Sequence, residues 1–310
     1  MKRGSIAIPF LSAVFISLII VGAIGTFIFN KLTGDPVDSG RGRTVSGNYS
    51  PTEDDNRTLL LILEPTDNTD LTTFMIMRIL PQDKKYVCMP LPNNMITVEN
   101  ASLYETYAVG GVVQLKKQLE ASLEIRIDKY MKFNSEGFER ICTMLGCVNY
   151  ELPLELVAAG ITYGAGSQQL PPDYIQKVIT FPAYKGEEQH RMFQAGEIIC
   201  AMLNQADQNR LATVIDENFK ELANHVETDI TAIDYSDMSK ALKYLLSGAS
   251  DPAGMINIYG ADEISGVKVN EIFLKDMRRT LKITDAPEMP DVPDAPVIPE
   301  QTEEFDANAE

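Results

Sequence analysis

Hydrophobic spacing switches most regularly between Tyr107 and Pro153, where helix and strand periods alternate. Val112, Leu115, Leu119 and Leu123 follow a Gly110-Gly111 turn at intervals of three and four, which places them on one face of a helix. From Ile127 to Phe133, Ile127, Met131 and Phe133 oppose Asp128, Tyr130 and Lys132, the alternation of a half-buried strand. Asn134 or Ser135 can cap the next helix, whose Phe138, Ile141, Cys142 and Leu145 recur at helical spacing before Gly146 ends it. Val148, Tyr150 and Leu152 share one face of a following strand.

On either side the pattern predicts further elements. Thr58 to Leu63 is a continuous apolar run of strand length, as for a central strand covered on both faces, and Glu64 to Asp70 is a polar turn at its carboxyl end. Thr73 to Leu80 and Lys85 to Met89 form a hairpin about Pro81-Gln82-Asp83-Lys84, followed by a stiff loop, Pro90 to Asn94. Leu156 to Pro172 is rich in Gly, Gln and Pro, with weak structure. A helical segment from Asp173 leads to a loop, Thr180 to Glu188. Helices are predicted over Met192 to Leu203, Leu211 to Val226, Ser236 to Leu246 with Ser236 as cap, and Glu271 to Leu281, with a short strand at Met255 to Tyr259. The fold class is α/β, a mixed central β-sheet flanked by helices.

The ends differ from this body. Ile6 to Phe29 carries no charge and would span about 36 Å as a helix, enough to cross a bilayer. It is expected to be a transmembrane anchor; a cleaved signal peptide ending near Val21-Gly22-Ala23 is the rival. Lys2 and Arg3 precede the span and Lys31, Arg41 and Arg43 follow it, so charge does not decide its orientation. The expected organisation is a short N-terminus (1–5), the anchor (6–29), a Gly/Ser/Pro-rich tether (30–57), a folded domain (58–283) and an acidic tail (284–310). The tail's prolines at 287, 290, 293, 296 and 299 would line one edge of a polyproline II arm. It is either a docking arm for cell-wall proteins or a solvated disordered segment.

Charge and chemistry narrow the function classes. The chain has 310 residues and a formal net charge of −17, of which nine negative charges lie between 285 and 310 with no basic residue. No basic stripe is present, which excludes nucleic acid as a partner. Cys88, Cys142, Cys147 and Cys200 sit in apolar runs and are expected to be buried free thiols, with a Cys142–Cys147 disulfide as the alternative. P-loop, G-x-S-x-G, H-E-x-x-H and G-x-G-x-x-G motifs are all absent. The polar residues able to converge at strand ends are Asp67 and Asp70, Asn93 and Asn94, and Glu188, Arg191 and Gln194, the last three on one helical face or simply a solvated helix start.

The anchor, tether, TLLLIL strand, YAVGG turn, the IDKYMKFNSEGFERICTMLGCVNYELP run and the ETDITAIDYSDM segment together resemble the LytR-CpsA-Psr (LCP) family, over roughly Thr58 to Leu246. The resemblance implies a single-pass cell-membrane protein with an extracytoplasmic domain. It also implies transfer of glycopolymers from a polyprenyl pyrophosphate carrier to the cell wall, a magnesium ion on the pyrophosphate, and an apolar tunnel for the lipid. The family holds phosphate with arginines, because a guanidinium fork pairs bidentately with phosphate oxygens. Where the family has Ser-Ile-Pro-Arg-Asp, this chain has Pro90-Leu91-Pro92-Asn93-Asn94; where it has Arg-x-Arg at a strand end, Thr180-Phe181-Pro182. Its Arg-Ser-Asp falls on Asp70-Leu71-Thr72. Its Asp-x-x-Arg-x-x-Arg-Gln is represented by Glu188, Arg191 and Gln194, without the second arginine. Asp67 and Asp70 remain as a partial metal site. Each lost charged partner commonly costs about 3 to 4 kcal/mol of transition-state stabilisation. The expectation is therefore a degenerate member that binds a polyprenyl-linked intermediate or a partner with weak or no catalysis. An active magnesium-dependent transferase using Asp67, Asp70 and Arg191, and a non-catalytic scaffold with a filled pocket, are the rivals.

Overall fold

The computed structural model describes residues 49–66, 71–158, 161–181, 188–223, 225–263 and 266–283. The segment expected to cross a membrane, the acidic tail, Asp67 and Asp70 lie outside the described residues. Among those described, no helix is long and apolar enough to cross a membrane.

The centre is a six-stranded sheet. Its strands are β1 (Arg57–Leu63), β2 (Thr73–Leu80), β3 (Lys85–Leu91), β4 (Lys129–Phe133), β9 (Val226–Thr228) and β10 (Ala253–Met255), in the order β10-β3-β2-β1-β4-β9. β1 runs parallel to β4 and β3 parallel to β10, while β1 with β2, β2 with β3 and β4 with β9 are antiparallel. A mixed sheet therefore forms, as the pattern predicted. β1 is central because Leu59, Leu60, Ile62 and Leu63 are buried on both faces. The hairpin falls where expected, with Lys84 in the left-handed region at φ 53°, although β3 continues to Leu91 and takes in Pro90.

One face packs against α1 (Leu103–Leu123) and α7 (Glu271–Thr280): Leu60, Ile62, Ile76 and Met89 meet Leu115, Leu119 and Phe273. The other face carries α2 (Ser135–Leu145), α3 (Pro172–Ile179), α4 (Glu188–Gln205), α5 (Gln208–Leu222) and α6 (Ala232–Leu246). Two small antiparallel pairs, β5 (Val148–Leu152) with β8 (Gly166–Leu170) and β6 (Leu156–Ala158) with β7 (Ile161–Tyr163), lie beside them. A further hairpin joins β11 (Gly260–Glu263) to β12 (Gly266–Val269).

Several boundaries move. Gly110-Gly111 is a kink inside α1 and not its start: Gly111 alone is non-helical, at φ 62° and ψ −160°, and Leu103 to Val109 form a preceding helical segment. That segment is set by a capping box in which Ser102 Oγ accepts from Glu105 N at 3.2 Å and Ser102 N donates to Glu105 Oε2 at 2.9 Å. β4 begins at Lys129, with Ile127 buried in the loop before it. Ser236 lies within α6 and does not cap it, because Thr231, five residues earlier, caps it in a capping box with Asp234. Asp207 likewise starts α5 earlier than predicted, and β9 takes Val226 from its predicted end. Leu156 to Pro172 holds β6, β7 and β8, strands of three to five residues that are too short to show a clear period. The strand predicted at Met255 to Tyr259 lies over Ala253–Met255, where it pairs with β3. Residues 49–56, inside the stretch expected to be a tether, pack on the domain through Tyr49 against Tyr244 and Pro51 O, which accepts from Gln82 Nε2 at 2.9 Å.

Cys88, Cys142 and Cys200 are buried and all four thiols are free, but Cys147 is exposed, corrected by its place just after the α2 terminus.

Candidate functional site

The first turn of α4 meets the start of β2 and the end of β3. Arg191 is fully buried there. Its Nε donates to Glu188 Oε2 at 2.9 Å and its Nη2 to Glu188 Oε1 at 2.7 Å. Nη2 also donates to Thr72 O at 3.0 Å, and Nη1 to Leu71 O at 3.1 Å and Thr73 Oγ1 at 2.9 Å. A guanidinium has five N–H donors, and these five acceptors use them all. Glu188 Oε1 accepts a further hydrogen bond from Asn93 N at 2.9 Å. The spacing of three thus brings Glu188 and Arg191 together as a bidentate pair, which links three segments distant in sequence.

The other candidates are placed differently. Asn93 is buried and its carbonyl accepts from Tyr104 N at 3.1 Å. Asn94 turns to the β11–β12 hairpin, accepting from Val267 N at 3.1 Å. Gly266, at φ 148°, backs against the Asn94 carbonyl, where any Cβ would collide. Asn94 Oδ1 is buried without a hydrogen-bond partner among the described residues, as are both polar atoms of Gln194, one turn after Arg191 and 2% exposed. Thr180-Phe181 follows helix α3 and not a strand. Phe181 is a core residue, its ring 5.2 Å from that of Tyr163, and Thr180 Oγ1 returns to Gln176 O at 2.9 Å.

Magnesium finds no cradle among these residues. The described residues contain no group of three or more His, Cys, Asp or Glu able to hold a metal. Glu188, the carboxylate in this network, already spends both oxygens on Arg191 and Asn93.

Sequence reading missed a second polar group, at the carboxyl ends of the parallel strands β1 and β4. Lys132 Nζ lies 2.9 Å from Glu64 Oε2 and 3.5 Å from Glu227 Oε2, and 5.7 Å from the centre of the Tyr107 ring. Burial pushes the Tyr107 hydroxyl pKa up. The signal was a lysine in a strand opposite an acidic strand end, visible only once the parallel pairing is known.

An apolar cavity of about 240 Å³ lies between the sheet and α2, α5 and α6, lined among others by Leu59, Ile79, Met131, Leu203, Phe219 and Leu242. It occupies the end of the sheet where β1 begins and β2 ends. The arginine network touches the opposite end of β2, about 20 Å away at 3.3 Å per residue from Thr73 to Ile79. None of Asn93, Asn94, Glu188, Arg191 or Gln194 lines the cavity. Phe181 and Ala195 are buried core on this side, while Met192 lines a second pocket with Pro90, Pro92, Gln189 and His190, next to Glu188 and Arg191 in the chain. One wall of it was detectable in sequence, the apolar face of α5 formed by Leu211, Ile215, Phe219 and Leu222, but not the enclosure.

Residues 52–284 match the sequence profile of the LytR_cpsA_psr family. The chain belongs to the LytR-CpsA-Psr family. A similar curated protein is the polyisoprenyl-teichoic acid–peptidoglycan teichoic acid transferase TagU of Bacillus licheniformis, 22% identical over an alignment of 210 positions that covers 62% of this chain and 68% of TagU. Among solved structures, Bacillus subtilis TagV superposes with a TM-score of 0.59 at 18% identity, covering 73% of this chain and 96% of TagV. TagT bound to LIIa-WTA gives 0.56 at 13% identity, covering 80% and 98%. These LCP structures share the fold of this chain, a mixed sheet between helical layers. Membership places the chain among proteins of cell-envelope glycopolymer assembly.

Proposed function

We propose that this LCP domain holds a polyprenyl-linked glycopolymer intermediate during cell-wall assembly and transfers it weakly or not at all, from an outward-facing position on a single-pass anchor. The observation that carries this reading is the state of Arg191: buried, with every N–H donor committed to Glu188 and to β2. A guanidinium so engaged would have to break several charge-assisted hydrogen bonds to grip a phosphate. Asn93 and Asn94 supply neutral amides in the loop, and Phe181 fills core space. Binding is a separate matter, since apolar walls need no such charges. The cavity beneath α5 and α6 offers them, and the teichoic acid transferase name of TagU supports a polyprenyl-linked ligand.

The test is an assay of the purified protein with a polyprenyl pyrophosphate-linked saccharide, with and without Mg2+. Saturable binding is expected, with no transfer and no phosphate release in either condition. Mg2+-dependent transfer, lost on Asp67→Ala or Asp70→Ala, would overturn the reading in favour of an active enzyme. Absence of binding would favour the scaffold.

A further inference from the structure

Cys88 on β3 and Cys200 on α4 face each other across a close helix–sheet contact. Gly196 lets α4 approach: a Cβ there would lie 2.9 Å from Pro90 Cγ. One helical turn on from Gly196 is Cys200, and two residues back from Pro90, on the same face of β3, is Cys88. The two thiols share a small core cluster with Met75, and their interaction pushes the Cys88 pKa up. Both are free, Cys88 fully buried and Cys200 with 8% exposure.

We infer that Cys88 and Cys200 are a built oxidation site, a thiol pair that closes to a disulfide by exchange with a small disulfide oxidant and clamps α4 to β3. Cys200 is the attacking sulfur. It keeps the exposure, and its interaction with the Cys88 thiol draws its pKa down while that of Cys88 is pushed up. Its thiolate attacks one sulfur of the oxidant and expels a thiolate, giving a mixed disulfide. The Cys88 sulfur then loses its proton and attacks Cys200, expelling the second thiolate. Two protein thiols are oxidised and one disulfide is reduced to two thiols.

The other cysteines are not arranged for this. Burial pushes the Cys142 thiol up to about 12, and Cys147 is exposed on the surface beyond the helix end. The clamp would close a ring over residues 88–200, removing much chain entropy from the unfolded state. It would also fix the helix whose first turn carries Glu188 and Arg191 to the strand that leads to Asn93.

The experiment is treatment of the full chain with oxidised glutathione, alkylation of remaining thiols, proteolysis and mass spectrometry, with urea unfolding of oxidised and reduced samples. A Cys88–Cys200 linked peptide, alkylated Cys142, and a urea midpoint shifted upward and restored by dithiothreitol are expected. Cys147 serves as the internal control, being capped by glutathione without a partner. Recovery of Cys88 and Cys200 as separate alkylated peptides, a stable glutathione adduct on Cys200 with Cys88 alkylated, or a Cys142–Cys147 link would each overturn the inference. A linked peptide with an unchanged midpoint would overturn the clamp. The mapping needs no variant; Cys88→Ser, if folded, should leave Cys200 as a glutathione adduct.

Discussion

At the scale of the residue, Arg191 decides most. A fully buried guanidinium is tolerable only with its donors satisfied, and here Glu188 and three acceptors at the start of β2 do so. Arg191→Ala would leave Glu188 and two carbonyls short of partners, and should cost about 3–5 kcal/mol of stability. Arg191→Lys should recover little, since an ammonium cannot reproduce the planar fork. Urea unfolding measures both, and a loss below about 1 kcal/mol for Arg191→Ala would contradict a stabilising role for the arginine network. The pairing of Glu188 with Arg191 was legible from a spacing of three. Its other partners were not, because Leu71 and Thr72 contribute backbone carbonyls some 120 residues away, which side-chain spacing does not register. Gln194 lies on the same helix one turn on, with both polar atoms of its amide buried and without a hydrogen-bond partner among the described residues.

Elements show how far local signals reach. Caps and periods located β1, β2, α2 and β5 because each is stabilised largely by what lies within it or next to it. The failures were at competing signals: two acceptable caps for α6, and a glycine pair that bends α1 without ending it. Gly111 sits at φ 62° and ψ −160°, a region that is essentially restricted to glycine. Gly111→Ala should therefore destabilise the protein by about 1–3 kcal/mol, although there is open space for the methyl group. An unchanged thermal midpoint would show that the kink can relax. Asp234, in the α6 capping box, is held well below the usual carboxylate range by Lys129 at 2.8 Å and by Thr231. A depressed folded-state pKa contributes stability that is present above the unfolded value of about 4 and is lost as pH falls. Asp234→Asn should flatten the acid limb of the stability profile below about pH 4, and an identical slope in both proteins would remove Asp234 as its source.

On the scale of the whole molecule, the family resemblance was readable because the Tyr107 to Pro153 run is one contiguous, locally consistent block, whereas the pocket was not, because it is lined from β1, β2, α2, α4, α5 and α6 at once. The fold separates two features that a transferase would join: the arginine network at one end of β2, and the apolar cavity near the other. About 20 Å of β2 lie between them, and none of the arginine network's residues lines the cavity. Ligand holding and the arginine network should then respond independently to mutation. Ile215 points into the cavity from α5, so Ile215→Trp should fill it, lowering affinity for a polyprenyl phosphate about tenfold or more, a change of about 1.4 kcal/mol. The urea midpoint should hold or rise, because filling a void restores dispersion contacts. Arg191→Ala should do the reverse, lowering the midpoint while the folded fraction keeps its lipid affinity. Titration of both variants with a fluorescent polyprenyl phosphate, corrected for folded fraction, separates the cases. If Ile215→Trp bound lipid as well as the wild type, or if Arg191→Ala lost binding while folded, the lipid would have to lie elsewhere than the cavity, alongside the arginine network.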